Sequence, residues 1–317
     1  MRLAFLEPEH DPPIAGDEAR PDLLLLSREA ATDEIKAVAL TGYWRLVEGM
    51  NDRPQPERFA AVRAGLEATK TPADLKLGLA RLSELNTPEA LELAQQYRRD
   101  AAVRAEAESA SLQIATRFDA ARIAAAEAAL RHLASEAETA RVRDEAQAYV
   151  KKLDAQAGYV APWLVSGPDR QQGKEAQQLF DVAFAPELPT SKVEWRPLPS
   201  TSGLTNWWFA DLNAVTGGNH CVVYLKTRVW CARQQPVSLE IGTDDGVKLW
   251  VNGDLVHANN AVRGFTPGAD KAKAILKEGW NDFLVKITQH TLGCAAAIRV
   301  RNADGTPIAG LRVEATE

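Results

Sequence analysis

Cysteine is scarce: three in 317 residues cannot build a disulfide framework. A basic excess is missing as well. Lysine and arginine number 37 against 43 acidic residues, a net charge of -6, so nothing favours nucleic acid or an anionic membrane surface as partner. Long apolar runs are absent. The longest purely aliphatic stretch, Leu23 to Leu26, is far short of the roughly 20 residues that span a bilayer, so no membrane insertion is expected. The N-terminal Met1-Arg2-Leu3-Ala4-Phe5-Leu6-Glu7-Pro8-Glu9 reaches acidic residues too soon for a secretory signal. Several catalytic signatures do not occur: the Gly-x-Ser-x-Gly elbow, His-Glu-x-x-His, the phosphate loop and Gly-x-Gly-x-x-Gly. Asp211, Asp244 and Asp245 lie too close to turn signals to be nominated as a glycosidase acid and base.

What is present is unevenly distributed. Residues 1–157 hold 35 alanines and 5 glycines, whereas residues 158–317 hold 18 alanines, 15 glycines and 7 of the 8 tryptophans. Alanine favours helix because it loses no side-chain entropy there, while glycine and tryptophan suit turns and packed sheets. The composition predicts an α+β protein with a helical domain over residues 1–157 and a β-domain over 158–317, the junction falling near Gly158.

The first half carries helical periodicity. Val103, Ala107, Ala110 and Ile114 recur at steps of three and four, as do Ile123, Ala126, Leu130 and Leu133. Thr32-Asp33-Glu34, Thr71-Pro72 and Thr87-Pro88 read as helix starts, since a Thr oxygen caps a free N–H and Pro at the first position costs no hydrogen bond. Six or seven helices are expected from Arg28 to Asp154. Lys36, Lys76, Arg104 and Arg143 each follow an aliphatic residue and have a small or apolar residue three positions on. Their spacing, about 40, 28 and 39 residues, is close to that of two-helix repeats. This stretch resembles HEAT-like repeats, which implies an α-solenoid with a concave partner surface. An irregular helical bundle is the competing reading.

The second half alternates. Tyr159 to Val165 reads as a strand ended by Ser166-Gly167-Pro168. Cys221 to Trp230, Val237 to Gly242, Val247 to Val251, Leu255 to Ala258, Asp282 to Ile287 and Ala297 to Arg301 follow. Asn252-Gly253 is a hairpin signal because both residues tolerate positive φ. These strands argue an antiparallel β-sandwich of jelly-roll type. The strings Trp163-Leu164-Val165-Ser166-Gly167-Pro168, Ile241-Gly242-Thr243-Asp244-Asp245-Gly246-Val247-Lys248-Leu249-Trp250-Val251-Asn252-Gly253 and Leu276-Lys277-Glu278-Gly279-Trp280-Asn281 resemble galactose-binding-like jelly rolls. That group includes the sugar-binding domains of β-galactosidase-type hydrolases and the anthrax-protective-antigen-type module. Similar domains accompany HEAT-like repeats in exported proteins of planctomycete-like bacteria. The resemblance implies a carbohydrate ligand and export, and the latter conflicts with the N-terminal reading.

Several residues are candidates for a site. Asp244-Asp245 is a hard-oxygen pair of the kind that holds Ca²⁺. In some protective-antigen-type adhesins such a pair does so with a nearby Asn, and Asn259 and Asn260 are the matching residue type here. A tight turn stabilised by Asp and Gly246 is the alternative. Trp207-Trp208 reads as an exposed stacking platform for a pyranose face, whereas Trp230 and Trp250 read as core. Arg263 suits a ligand carboxylate or a solvated loop. His220, His257 and His290 show no ligand spacing, so no zinc site is expected. Cys221 and Cys231 fall on one strand, up to roughly 33 Å apart, and free buried thiols are expected. Three functions follow as expectations: a non-catalytic carbohydrate-binding or scaffolding protein with its ligand at the sandwich loops, a carbohydrate-active enzyme with an interdomain site, and a protein-interaction subunit of an exported complex.

Overall fold

The computed structural model describes residues 17–69, 71–199 and 203–316. The Met1 to Glu9 segment lies outside them. Among the described residues the chain is α+β, with ten α-helices and two antiparallel sheets. Two compact units emerge, residues 1–116 with 128–147 and residues 117–127 with 148–317.

The helices before the sheets are α1 (Arg20–Glu29), α2 (Asp33–Glu48), α3 (Gln55–Ala68), α4 (Pro72–Ser83), α5 (Pro88–Tyr97), α6 (Arg104–Thr116), α7 (Ile123–Glu136) and α8 (Ala140–Ala155). Among the described residues there are eight, and the seven from α2 to α8 match the six or seven expected over residues 28–154. All three threonine caps form. Thr32, Thr71 and Thr87 accept from the backbone N–H three residues on, at 3.4, 3.2 and 3.2 Å. The periodic residues Val103, Ala107, Ala110 and Ile114 are buried, as are Ala126, Leu130 and Leu133. Two of the four basic positions share a task, whereas Lys36 and Lys76 pair with Asp33 and Glu106. Arg104 and Arg143 each donate to a carbonyl six residues back, Arg98 O at 3.0 Å and Ala137 O at 2.8 Å. Each guanidinium thereby satisfies a carbonyl in the turn before its own helix. Glu108, 1% exposed, takes the Glu138 and Thr139 N–H groups at the start of α8. Burial acts to raise its pKa, but those bonds and Arg98 hold it below the usual carboxylate range.

The β unit contains β1 (Leu164–Asp169), α9 (Ala176–Leu179), β2 (Arg196–Pro197), β3 (Ala210–Asp211), α10 (Asn213–Thr216), β4 (Cys221–Cys231), β5 (Gln235–Asp244), β6 (Gly246–Val251), β7 (Asp254–Asn259), β8 (Asp270–Leu276), β9 (Gly279–Gln289), β10 (Ala295–Asn302) and β11 (Arg312–Glu314). The larger sheet runs β2-β1-β4-β9-β6-β7, with β11 joining β4, and the smaller runs β3-β10-β5-β8. Alternation sets the core of this β-sandwich. Phe283, Val285 and Ile287 on β9, Leu239 and Ile241 on β5, and Ile298 and Val300 on β10 are fully buried. Asn252 and Gly253 form the β6–β7 turn with φ of 55° and 88°, as their identity predicts.

The opposite face of the larger sheet is covered as well. Tyr224 and Val222 pack with Leu179, Val182, Phe184 and Trp195 from the segment after β1. That cover also encloses Lys286, which sits directly opposite Tyr224 in the β4–β9 register.

Two sequence readings change. The Tyr159 to Val165 run is largely irregular, and β1 continues through Ser166-Gly167-Pro168 with a register shift between Ser166 and Asp169, because the bulge accommodates a residue that cannot donate to the ladder. Trp230 and Trp250 are half-buried rather than core. Trp230 faces Trp280 across β4 and β9, and Arg312 lies over its ring at 4.1 Å, so an arginine shields it in place of apolar packing. Cys221, Cys231 and Cys294 are free and buried as expected.

Candidate functional site

Four of the predicted site residues, Asp244, Asp245, Asn259 and Arg263, converge where β5 ends, β7 ends and β8 begins. Asp245 follows β5 and is 4% exposed. Its carboxylate accepts two backbone N–H groups, from Arg263 at 2.8 Å and from His290 at 2.7 Å. Thr243 reinforces the turn by donating its hydroxyl to the Asp245 carbonyl at 2.8 Å. Asp245 therefore staples the 260–265 loop and the end of β9 to the turn.

Asp244 differs. It is half-buried, and among the described residues no ion pair reaches it. Burial raises its pKa above the usual carboxylate value, the neighbouring Asp245 charge raises it further, and only the Phe265 backbone N–H opposes them. A half-buried carboxylate beside a second one, with no compensating cation, is electrostatically unfavourable.

Arg263 is a strut rather than a free ligand group. Its guanidinium reaches Asp270 at 3.0 and 2.5 Å and the Thr243 hydroxyl at 3.0 Å. Asn259 donates to the same Asp270 carboxylate at 3.0 Å, and His257 Nε2 lies 3.1 Å from it. Asp270, on β8 of the smaller sheet, thus ties down β7 of the larger one. Asn260 points elsewhere and donates to Gln177 O at 3.0 Å.

The hydrogen bonds from Arg263 hold the Asp270 pKa at about 2, against the opposing effect of burial. The folded value lies below the ordinary unfolded one of about 3.9, so the stabilisation is complete above that value and is lost as pH falls toward 2. Asp270→Asn should lower stability at pH 7 by about 2 kcal/mol. Urea midpoints should then converge with those of the wild-type protein as pH falls from about 4 to 2. A difference that stays constant over that range would show that the charge is not what Asp270 contributes.

The aromatic candidates separate. Trp207 is 8% exposed and its indole N–H donates to Gln156 at 2.8 Å, with a space of only about 20 Å³ beside it. It anchors the chain, and its polar sequence neighbours concealed that. Trp208 is half-buried, with one face stacked on Tyr159 at 4.4 Å. Its edge meets Phe209, which meets Phe265 at 4.9 Å between ring centres. Phe265 is the residue whose N–H favours the Asp244 carboxylate, so an aromatic row adjoins the unpaired charge. Phe209 and Phe265 were not legible as site residues, because only the folded loop brings them to Asp244.

The scattered histidines also change standing. His220 precedes β4 and His290 follows β9, and the pairing of Cys221 with Gln289 brings their rings to 5.0 Å. Seventy residues of sequence separation hid this contact, since spacing rules detect only ligands on one helix or hairpin.

No family model and no curated protein matches the chain. Among solved structures, it is similar to an anti-sigma factor domain-containing protein at 19% identity, over 31% of this chain and 34% of that one, with a TM-score of 0.27. It is similar to the PA14 domain of the MpAFP antifreeze protein at 12% identity, over 31% and 53% of the two chains, with a TM-score of 0.25. A β-glucosidase from Kluyveromyces marxianus is similar at 12% identity, over 44% and 16%, with a TM-score of 0.29. The chain spans about a third of the first of these proteins. These likenesses assign no activity.

Proposed function

We propose that the protein is a non-catalytic carbohydrate-binding protein whose ligand sits at the sandwich loops around Asp244, through Ca²⁺. One observation carries the reading: Asp244 is a half-buried carboxylate beside Asp245, with no ion pair among the described residues and the Phe265–Phe209–Trp208 row next to it. A divalent cation would relieve the repulsion, sugar hydroxyls would complete its oxygen shell, and an aromatic ring of the row would stack on the apolar face of a pyranose. Asp244 supplies the cation ligand. Asp245 holds the turn and offers its remaining lone pairs, and Asn259 lies on the adjoining strand end. Export, a jelly-roll topology for the two sheets and a domain division at 157/158 belong to the same reading. So does a HEAT-like array over residues 1–157, supported by the shared carbonyl-capping role of Arg104 and Arg143. The array would act as a scaffold for a partner protein.

Glycan-array binding by the purified chain tests this. Binding should require Ca²⁺, vanish with chelator and vanish in Asp244→Ala. Absence of binding to any glycan, with or without Ca²⁺, would sink the proposal, and binding that persists in Asp244→Ala would remove Asp244 from it.

A further inference from the structure

We infer that Glu175, His220 and His290 form a binding site for a divalent transition-metal ion, for which Zn²⁺ is the probe. One ligand atom from each lies within 4.8 Å of the others. Two imidazoles and a carboxylate are a donor set suited to Zn²⁺ and its first-row neighbours, and unlike the all-oxygen shell that Ca²⁺ takes. The site therefore stands independently of the proposed Ca²⁺ function.

The histidines are held by the sheet. His220 N–H donates to His290 O at 3.1 Å, extending the β4–β9 ladder by one pair, and the two rings meet edge to face at 84°. His220 keeps a φ of 50°, uncommon for a residue with a Cβ. His290 N–H is fixed by the Asp245 carboxylate at 2.7 Å. His290 Nδ1 lies 3.3 Å from the Thr291 hydroxyl. With the proton on Nδ1 and donated to Thr291, Nε2 presents its lone pair, the orienting device common behind metal-bound histidines.

His220 Nδ1 accepts only a long bond, 3.5 Å from Ala176 N. Coordination through Nδ1 uses that lone pair, and coordination through Nε2 places a proton on Nδ1. Either way the bond is given up, and its length makes the loss small.

Glu175 is the adaptable member. It is exposed and caps α9, where its side chain accepts from Gln178 N–H and its own backbone N–H donates to the Gln178 side-chain oxygen at 3.0 Å. One carboxylate oxygen suffices for the cap and leaves the other for the ion. A tetrahedral centre with bonds near 2.1 Å separates its ligands by roughly 3.3 Å, so closure from the present spacing needs a shift of about 1–1.5 Å, within reach of an exposed glutamate side chain. Three protein ligands leave a position for water or a small Lewis-basic ligand. Among the described residues a further close His–carboxylate pair, His257 with Asp270, has the Arg263 guanidinium on the same carboxylate and offers a cation no vacancy.

The experiment is a Zn²⁺ titration of the metal-stripped full chain against a chromophoric chelator. One ion should bind with Kd below about 10 µM. His220→Ala and His290→Ala should each weaken binding at least about 100-fold, since even orienting partners of a ligand cost 10–100-fold. Glu175→Gln should weaken it, while His257→Ala and Asp244→Ala leave it unchanged. The latter separates this site from the glycan site. Because a histidine variant can fail to fold, Co²⁺ on the wild-type chain supplies a second reading: two paramagnetically shifted, exchangeable imidazole N–H resonances. Absence of stoichiometric binding, binding that survives the His220/His290 double substitution, or a Co²⁺ spectrum without shifted imidazole protons would each overturn the site.

Discussion

Glu187→Ala is expected to destabilise the β unit by about 3–5 kcal/mol, the cost of removing one partner from a buried ion pair. Lys286 has no exposed surface, and its ammonium donates to Glu187 at 2.9 Å and to Val182 O at 2.6 Å. The Tyr224 hydroxyl donates to the same Glu187 oxygen. Burial pushes the Lys286 pKa down, with the Glu187 carboxylate opposing it, and burial pushes the Tyr224 hydroxyl up, with Glu187 adding to it. Without Glu187 the ammonium keeps a carbonyl, the faces of Phe184 and Tyr224 at 5.5 and 5.8 Å, and the attraction of the Asp181 charge. The variant should therefore gain stability as pH rises toward the ordinary lysine value of about 10.4, because the unfolded chain then holds the proton that the folded one has lost. Glu187→Leu combined with Lys286→Met should recover most of the loss, since an apolar pair of similar volume avoids the desolvation of both charges. Chemical unfolding followed by tryptophan fluorescence measures all three proteins. A loss below about 1 kcal/mol in Glu187→Ala would mean that water reaches Lys286 and that the cover over it is loose.

This network marks the limit of what the sequence disclosed. The strand containing Lys286 was legible from alternation, and alternation places Lys286 on the face away from the core. What could not be read is that the segment from Ala176 to Trp195 returns over that face, since its short turns and 3-10 piece carry no periodicity. Local signals were dependable where the chemistry is local. The threonine caps, the Asn252-Gly253 turn and the single strand from Cys221 to Cys231 all formed, because each depends on residues within one or two turns of one another. The site was legible by half. Asp244-Asp245-Gly246 stood out as a string, yet the division of labour between a backbone-bonded Asp245 and an unpaired Asp244 depends on Arg263 and His290, which lie 18 and 45 residues from Asp245. Trp207 misled for the same reason: its partner, Gln156, lies 51 residues earlier.

Gly158→Ala should destabilise the β unit by about 2–5 kcal/mol, the sum of a left-handed backbone cost of about 1–2 and an overpacking cost of about 1–3. Gly158 has φ of 88°, and a Cβ there would stand 2.3 Å from Val300 O. That oxygen cannot withdraw cheaply. Gly158 O accepts from Val300 N at 2.7 Å, and Val160 N donates to Ile298 O at 2.8 Å, so the chain is bonded along β10 on both sides of the clash. Arg299 adds a bond to Ala157 O at 2.9 Å while lying over the Tyr159 ring that supports Trp208. Displacement of Gly158 would disturb all of these contacts, and a changed Trp208 environment should accompany the loss of stability. Gly253 supplies the control. Its φ is also 88°, but a Cβ there meets nothing within 4 Å, so Gly253→Ala should cost only the backbone share, about 1–2 kcal/mol. The difference between the two variants isolates the close approach to Val300 from the backbone conformation that both glycines share. Equal losses at the two positions would show that β10 yields to the added methyl group and that conformation alone selects glycine at 158.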